Sequence, residues 1–136
     1  MVAVVAGVDN LLLRFDSDIC FVDYALDIID DLLSYRGIQD RTDLLIVCRE
    51  LLKNAVVHGN RNDTQKSVTL RLQCLPGGRW RIEAEDDGSG FDVRARPAWA
   101  TGFPEGCGTG FALIGALADR VAFNDQGNRV TVFVGP

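Results

Sequence analysis

Two runs of strictly alternating side chains, joined by Pro76-Gly77-Gly78, constrain this chain's fold more than any other feature. Val68, Leu70, Leu72 and Cys74 alternate with Thr69, Arg71 and Gln73, and Trp80, Ile82 and Ala84 alternate with Arg81, Glu83 and Glu85. A period of two sends successive side chains to opposite faces of a strand, so each run has one apolar and one polar face. With a turn between them, the runs predict an antiparallel hairpin whose polar face points to water. A second hairpin is expected from Val121-Ala122-Phe123 and residues 129–134, turned by Asp125-Gln126-Gly127-Asn128. Leu11-Leu12-Leu13-Arg14-Phe15 reads as a short strand. The apolar opening, Met1 to Val8, is far shorter than the roughly 20 residues of a membrane span and has no basic segment before it. It reads as an N-terminal strand or a loose tail.

Between these strands the period becomes helical. Phe21, Tyr24, Ala25, Ile28, Ile29 and Leu32 form the expected buried stripe of a helix capped by Ser17 or Asp18 and ended by Gly37. A second helix starts at Asp40 or Thr42 and stops near Gly59-Asn60, residues suited to a C-terminal cap. Residues 109–119 are helical in pattern, after a loop over about 86–108. Strands and helices are grouped rather than strictly alternating, which predicts an α+β fold: a two-layer α/β sandwich with a mixed, mostly antiparallel sheet and helices on one face. At 136 residues, a single domain over 1–136 is expected.

Fourteen Lys and Arg against nineteen Asp and Glu leave a net charge of −5, without the basic excess of a protein that grips a phosphate backbone. Direct nucleic-acid binding and membrane insertion are therefore not expected. Cys20, Cys48, Cys74 and Cys107 form no C-x-x-C pair, and the first three fall in apolar segments. Reduced core thiols in a cytoplasmic protein fit this better than disulfides or zinc.

Three motifs carry polar chemistry. In the second helix, Glu50, Asn54 and His58 recur every four residues and share one ridge beside the apolar face. Asn is a poor helix-interior residue, so Asn54 calls for a reason. Its side-chain oxygen could coordinate Mg²⁺, and Glu50, one turn earlier, could accept a proton from an attacking hydroxyl or water. The alternative is a solvated helix edge with Glu50 paired to Lys53 or Arg49. Asp86-Asp87-Gly88-Ser89-Gly90 ends a predicted strand, where a carboxylate could accept a hydrogen bond from an exocyclic amine and the glycines permit close approach. A plain Asp-Gly turn would look the same. Gly106-Cys107-Gly108-Thr109-Gly110 opens the third helix and could offer backbone N–H groups to phosphates, or be only a flexible entry to that helix. It matches neither a Walker A loop nor G-x-G-x-x-G.

In this order, the three motifs resemble the N, G1 and G2 boxes of the Bergerat (GHKL) ATP-binding fold, over nearly the whole chain. The short form, with Glu50-x-x-x-Asn54-Ala55-x-x-His58-Gly59 and the closing Gly127-Asn128-Arg129-Val130, looks most like the anti-sigma-factor serine/threonine kinases of bacterial partner-switching systems. The resemblance implies ATP/ADP and Mg²⁺ as cofactors, Glu50 as general base, Asn54 as Mg²⁺ ligand and Asp86 as the adenine-reading carboxylate. Gly88 and Gly90 would shape the adenine pocket, and Gly106, Gly108, Thr109 and Gly110 would wrap the phosphates. Asn128 stands where relatives often carry Thr beside the adenine. Residues of about 91–108 would form an ATP lid, with Trp99 and Phe103 as anchors for the lid or for a partner.

The activity so implied is transfer of the ATP γ-phosphate to a Ser or Thr of an anti-anti-sigma (STAS-type) antagonist, with sequestration of a sigma factor or other regulator. Homodimerisation is common among such relatives. A partner-capture module with little kinase activity is the alternative, although it would have no need of Glu50. A histidine-kinase catalytic domain would need a separate acceptor chain, because His58 is the only histidine. Gyrase-like or MutL-like motors need a transducer domain, for which this sequence leaves no room.

Overall fold

The computed structural model describes residues 2–90 and 108–135, with the side chains of 108–111 outside the description. Six strands, β1 (Val2–Ala6), β2 (Asn10–Asp16), β3 (Ser67–Leu75), β4 (Arg79–Asp86), β5 (Arg120–Phe123) and β6 (Arg129–Val134), form one sheet in the order β1-β2-β3-β4-β6-β5. Every pairing is antiparallel. Among the described residues three α-helices, α1 (Cys20–Tyr35), α2 (Thr42–Asn54) and α3 (Gly108–Leu117), accompany the sheet, with α2 packed against α1, α3 and β4. The two-layer expectation is met, and the apolar opening becomes edge strand β1.

The alternating runs pair as the period requires. Val68, Leu70 and Leu72 and their neighbours Trp80, Ile82 and Ala84 are buried against the helices. Each large apolar side chain of this kind contributes about 2 kcal/mol by leaving water. The opposite face is less wet than the alternation suggests, because Glu83 is only 6% exposed. Its carboxylate lies beneath Arg71, Arg81 and Arg129, at 3.0, 3.3 and 3.9 Å.

Helix α1 starts where Asp18 Oδ1 accepts a hydrogen bond from the Cys20 N–H, at 3.0 Å. It ends at Gly37, whose φ of +79° lets the Ile38 N–H reach back to the Leu33 carbonyl, closing a Schellman motif. The buried stripe is rotated from the expected one. Val22, Ala25, Ile29 and Leu33 are buried, Phe21, Ile28 and Leu32 flank them, and Tyr24 is 55% exposed. Two overlapping helical stripes existed in this sequence, and docking onto both the sheet and α2 selected the one that keeps the tyrosine hydroxyl in water.

Helix α2 ends differently from expectation. It passes into a π turn over Ala55–Gly59, closed by an i→i+5 bond from the Asn60 N–H to the Ala55 carbonyl, at 2.8 Å. Neither Gly59 nor Asn60 adopts the left-handed cap. That conformation falls on Arg61 and Asn62, with φ of 54° and 59°. The thiols described are free, but only Cys48 is a core thiol, pushed up to about 12 by burial; Cys20, opening α1 on its solvent side, is exposed and Cys74 is half-buried. Among the described residues no helix is long and apolar enough to cross a membrane.

Candidate functional site

Glu50 and Asn54 lie in the regular part of α2, one turn apart, and both are half-buried. Asn54 carries a buried amide nitrogen with no hydrogen-bond partner. An orphaned polar atom of this kind costs about 1–3 kcal/mol, so it marks a place where a ligand or water completes the structure. His58 does not continue the ridge. It sits in the π turn, whose wider spacing breaks the four-residue stacking, and its side chain is exposed.

The π turn brings Gly59 against the end of β4. A β-carbon at Gly59 would lie 2.1 Å from Oδ2 of Asp86, and one at Gly88 would lie 2.0 Å from the Gly59 carbonyl oxygen. The glycine at 59 is thus required by a close approach, not by a helix cap. Gly90 combines a φ of +77° with a gap of only 1.8 Å between its virtual β-carbon and the Gln126 carbonyl oxygen, locking the motif onto the turn before β6.

Asp86 is held from several sides. Its Oδ1 accepts a hydrogen bond from the Gly88 N–H at 2.8 Å. Its backbone N–H donates to the Asn128 carbonyl, and its carbonyl accepts from Asn128 Nδ2, both at 3.0 Å. Asn128 Oδ1 is taken by the Asn124 amide, at 2.7 Å. The Asn128 side chain therefore braces Asp86 rather than projecting free toward a ligand. Desolvation raises the Asp86 carboxyl from 3.8 to about 6; the Gly88 N–H opposes this, Asp87 adds to it, and Lys66 and Glu85 contribute smaller opposing effects.

Asn60, which its sequence setting suggests only as a helix cap, is fully buried. Its Nδ2 donates to the Ser67 carbonyl at 2.9 Å, and its Oδ1 accepts from the Asp87 N–H at 2.8 Å. Its backbone N–H reaches Ala55 and its carbonyl accepts from Asp63 at 3.0 Å. One amide thus ties the end of the π turn to the start of β3 and to the Asp87 turn. Ser67 returns the link by donating its N–H to Asp87 Oδ2, at 2.8 Å. The only trace of this in the sequence is an Asn beside a glycine, which reads equally well as a cap.

Helix α3 packs along α2 and begins at Gly108, which places Gly108, Thr109 and Gly110 in its first turn. Gly106, Trp99, Phe103 and most of the expected lid lie outside the described residues.

The residues present fit a magnesium nucleotide. Asn54 Nδ2 is a buried, unsatisfied donor suited to a phosphate oxygen, and Glu50, Asn54 and Asp86 supply side-chain oxygens. Among the described residues no group of three His, Cys, Asp or Glu forms a metal cage. Mg²⁺ bound at Asn54 would therefore draw on phosphate oxygens and water for its remaining ligands.

Comparison with known proteins agrees with the fold. The chain is similar to the histidine kinase domain of the blue-light activated histidine kinase EL346 from Erythrobacter litoralis, at 19% identity and a TM-score of 0.51. The match covers 83% of this chain and 60% of that one, so this chain spans less than two thirds of the related structure. No curated protein matches by sequence. A family model described as the histidine kinase-like ATPase domain matches residues 25–134, from inside α1 to the last residue of β6. By that match, which takes in the ridge, the Asp86 corner and α3, the chain belongs to the histidine kinase-like ATPase (GHKL) domain family, whose members bind ATP or ADP.

Proposed function

We propose that this chain is an ATP-dependent protein serine/threonine kinase that acts as a cytoplasmic anti-sigma regulator. It phosphorylates an anti-anti-sigma antagonist of the STAS type and sequesters a sigma factor or other regulator. The observation that carries this reading is the α2 ridge, with Glu50 one turn before an Asn54 whose amide is left unpaired. A module that only captured nucleotide would need the asparagine but not the carboxylate.

Glu50 serves as the base. It takes the proton of the substrate hydroxyl as that oxygen bonds to the γ-phosphorus and the bond from phosphorus to the bridging oxygen breaks, leaving ADP. Mg²⁺, when bound, neutralises charge on the phosphates. Asp86 orients the base of the nucleotide by accepting a hydrogen bond from its exocyclic amine, and Gly88, by lacking a β-carbon, lets the turn close on Gly59 and hold that carboxylate in place.

The expected result is that Glu50→Gln loses transfer by about 100-fold or more while still binding ADP. Asn54→Ala should lose both transfer and Mg²⁺-dependent nucleotide affinity. Wild-type turnover of a co-purifying antagonist by either variant would sink the assignment.

A second reading is favoured by the likeness to a histidine kinase domain: transfer to a histidine of a separate chain. Chemical stability of the phosphorylated product separates the two, since phosphoserine and phosphothreonine survive acid and phosphohistidine does not. A partner-capture module is left standing if the cognate partner is bound but acquires no phosphate.

A further inference from the structure

The face of the sheet turned away from the helices concentrates charge of the sign opposite to that of the whole chain. Twelve arginines occur in the sequence, and six of them, Arg14, Arg71, Arg79, Arg81, Arg120 and Arg129, alternate outward from β2, β3, β4, β5 and β6. Among the described residues, Asp16, Glu83 and Glu85 are the carboxylates on that face, a balance of +3 on a chain of −5.

The arginines are not simply neutralised in place. Glu83 is shared by three guanidinium groups whose side chains remain 36–43% exposed. Glu85 also pairs with Arg71, at 3.6 Å, but each guanidinium has five donors in a planar fork, so two carboxylates among three arginines leave most of them open. At the β5–β6 side, the guanidinium groups of Arg79 and Arg120 stand 6.0 and 5.8 Å from the Phe133 ring. Among the described residues, Arg14, Arg79 and Arg120 form no ion pair.

We propose that this open sheet face is a docking surface for a carboxylate-rich polypeptide segment. Planar arginine forks match carboxylates in bidentate geometry, which supplies the complementarity. The patch runs from β2 to β5, about 19 Å at the ordinary strand spacing, enough for an extended segment of about six residues. A nucleic-acid backbone fits less well. Its recognition depends on a wide basic field, whereas this field is surrounded by net negative surface and screened within about 8 Å at physiological salt. The surface is independent of the kinase reading, because none of its arginines belongs to the nucleotide corner.

The test uses the full-length chain, isotope-labelled for NMR, and a Glu/Asp-rich peptide of about twelve residues. Addition of the peptide should shift amides of β3, β4 and β6. Binding should weaken about tenfold in the Arg14→Glu/Arg120→Glu variant, whose side chains touch neither Glu83 nor the nucleotide site. Unchanged ADP binding by that variant establishes that it is folded. Shifts confined to the helical layer, or equal affinity in the variant, would overturn the proposal. So would tighter binding of a single-stranded oligonucleotide of equal charge, or occlusion of the face by a second copy in sedimentation.

Discussion

The Asp86 corner and the open sheet face are both polar, but they are built in opposite ways. At the corner, the Asp86 carboxylate and the backbone carbonyls of Gly59 and Gln126 stand where β-carbons at Gly59, Gly88 and Gly90 would need to be, and one buried residue, Asn60, uses all four of its hydrogen-bonding groups. On the open face, flexible arginines surround Glu83 at 3.0 to 3.9 Å and stay partly in water. The corner is over-determined, so any change there moves several segments. The arginines of the face are exchangeable charges in high dielectric, so changing one of them has little effect on the fold.

Asn60→Ala should have the largest effect, about 3 kcal/mol lost in chemical denaturation, because it strands the Asp87 N–H and the Ser67 carbonyl. A loss below about 0.5 kcal/mol would mean that the corner is as tolerant as the face. Gly88→Ala follows, at about 2–3 kcal/mol from overpacking against the Gly59 carbonyl, with loss of ADP binding by calorimetry.

The pH dependence comes next. Folding raises the Asp86 pKa from 3.8 to about 6, so the native state binds more protons than the unfolded chain between those values, and Asp86 lowers stability as pH rises through that window. Adenine recognition by Asp86, as proposed above, would run the other way, because it would use the ionised carboxylate. ADP affinity should fall up to about tenfold per pH unit below about 6, and Asp86→Asn should remove that slope. The smallest effect belongs to the face: Arg120→Gln should cost less than about 0.5 kcal/mol, the scale of an exposed cation–π contact.

Much of this architecture was legible because period and turn chemistry are local. The β3–β4 hairpin follows from alternation about Pro76-Gly77-Gly78, and the β5–β6 hairpin from Asp125 to Asn128. The Glu50–Asn54 pair was likewise visible as polar residues at helical spacing. The π turn was not, since nothing in Ala55-Val56-Val57-His58-Gly59 distinguishes an i→i+5 turn from a regular one. Nor was Asn60 visible as a junction, because its partners Ser67 and Asp87 are 7 and 27 residues away.

The sequence by itself determined which residues alternate, where the chain turns, and that a carboxylate and a carboxamide share one helix ridge, because each depends on neighbours within a few positions. Tertiary structure alone decided that α1 buries Val22 and Leu33 while Tyr24 faces water, that Gly59 is a glycine because Asp86 lies against it, and that Glu83 sinks beneath three arginines. Those outcomes depend on which surfaces meet and how closely, and such distances are set only once the sheet and the helices pack together.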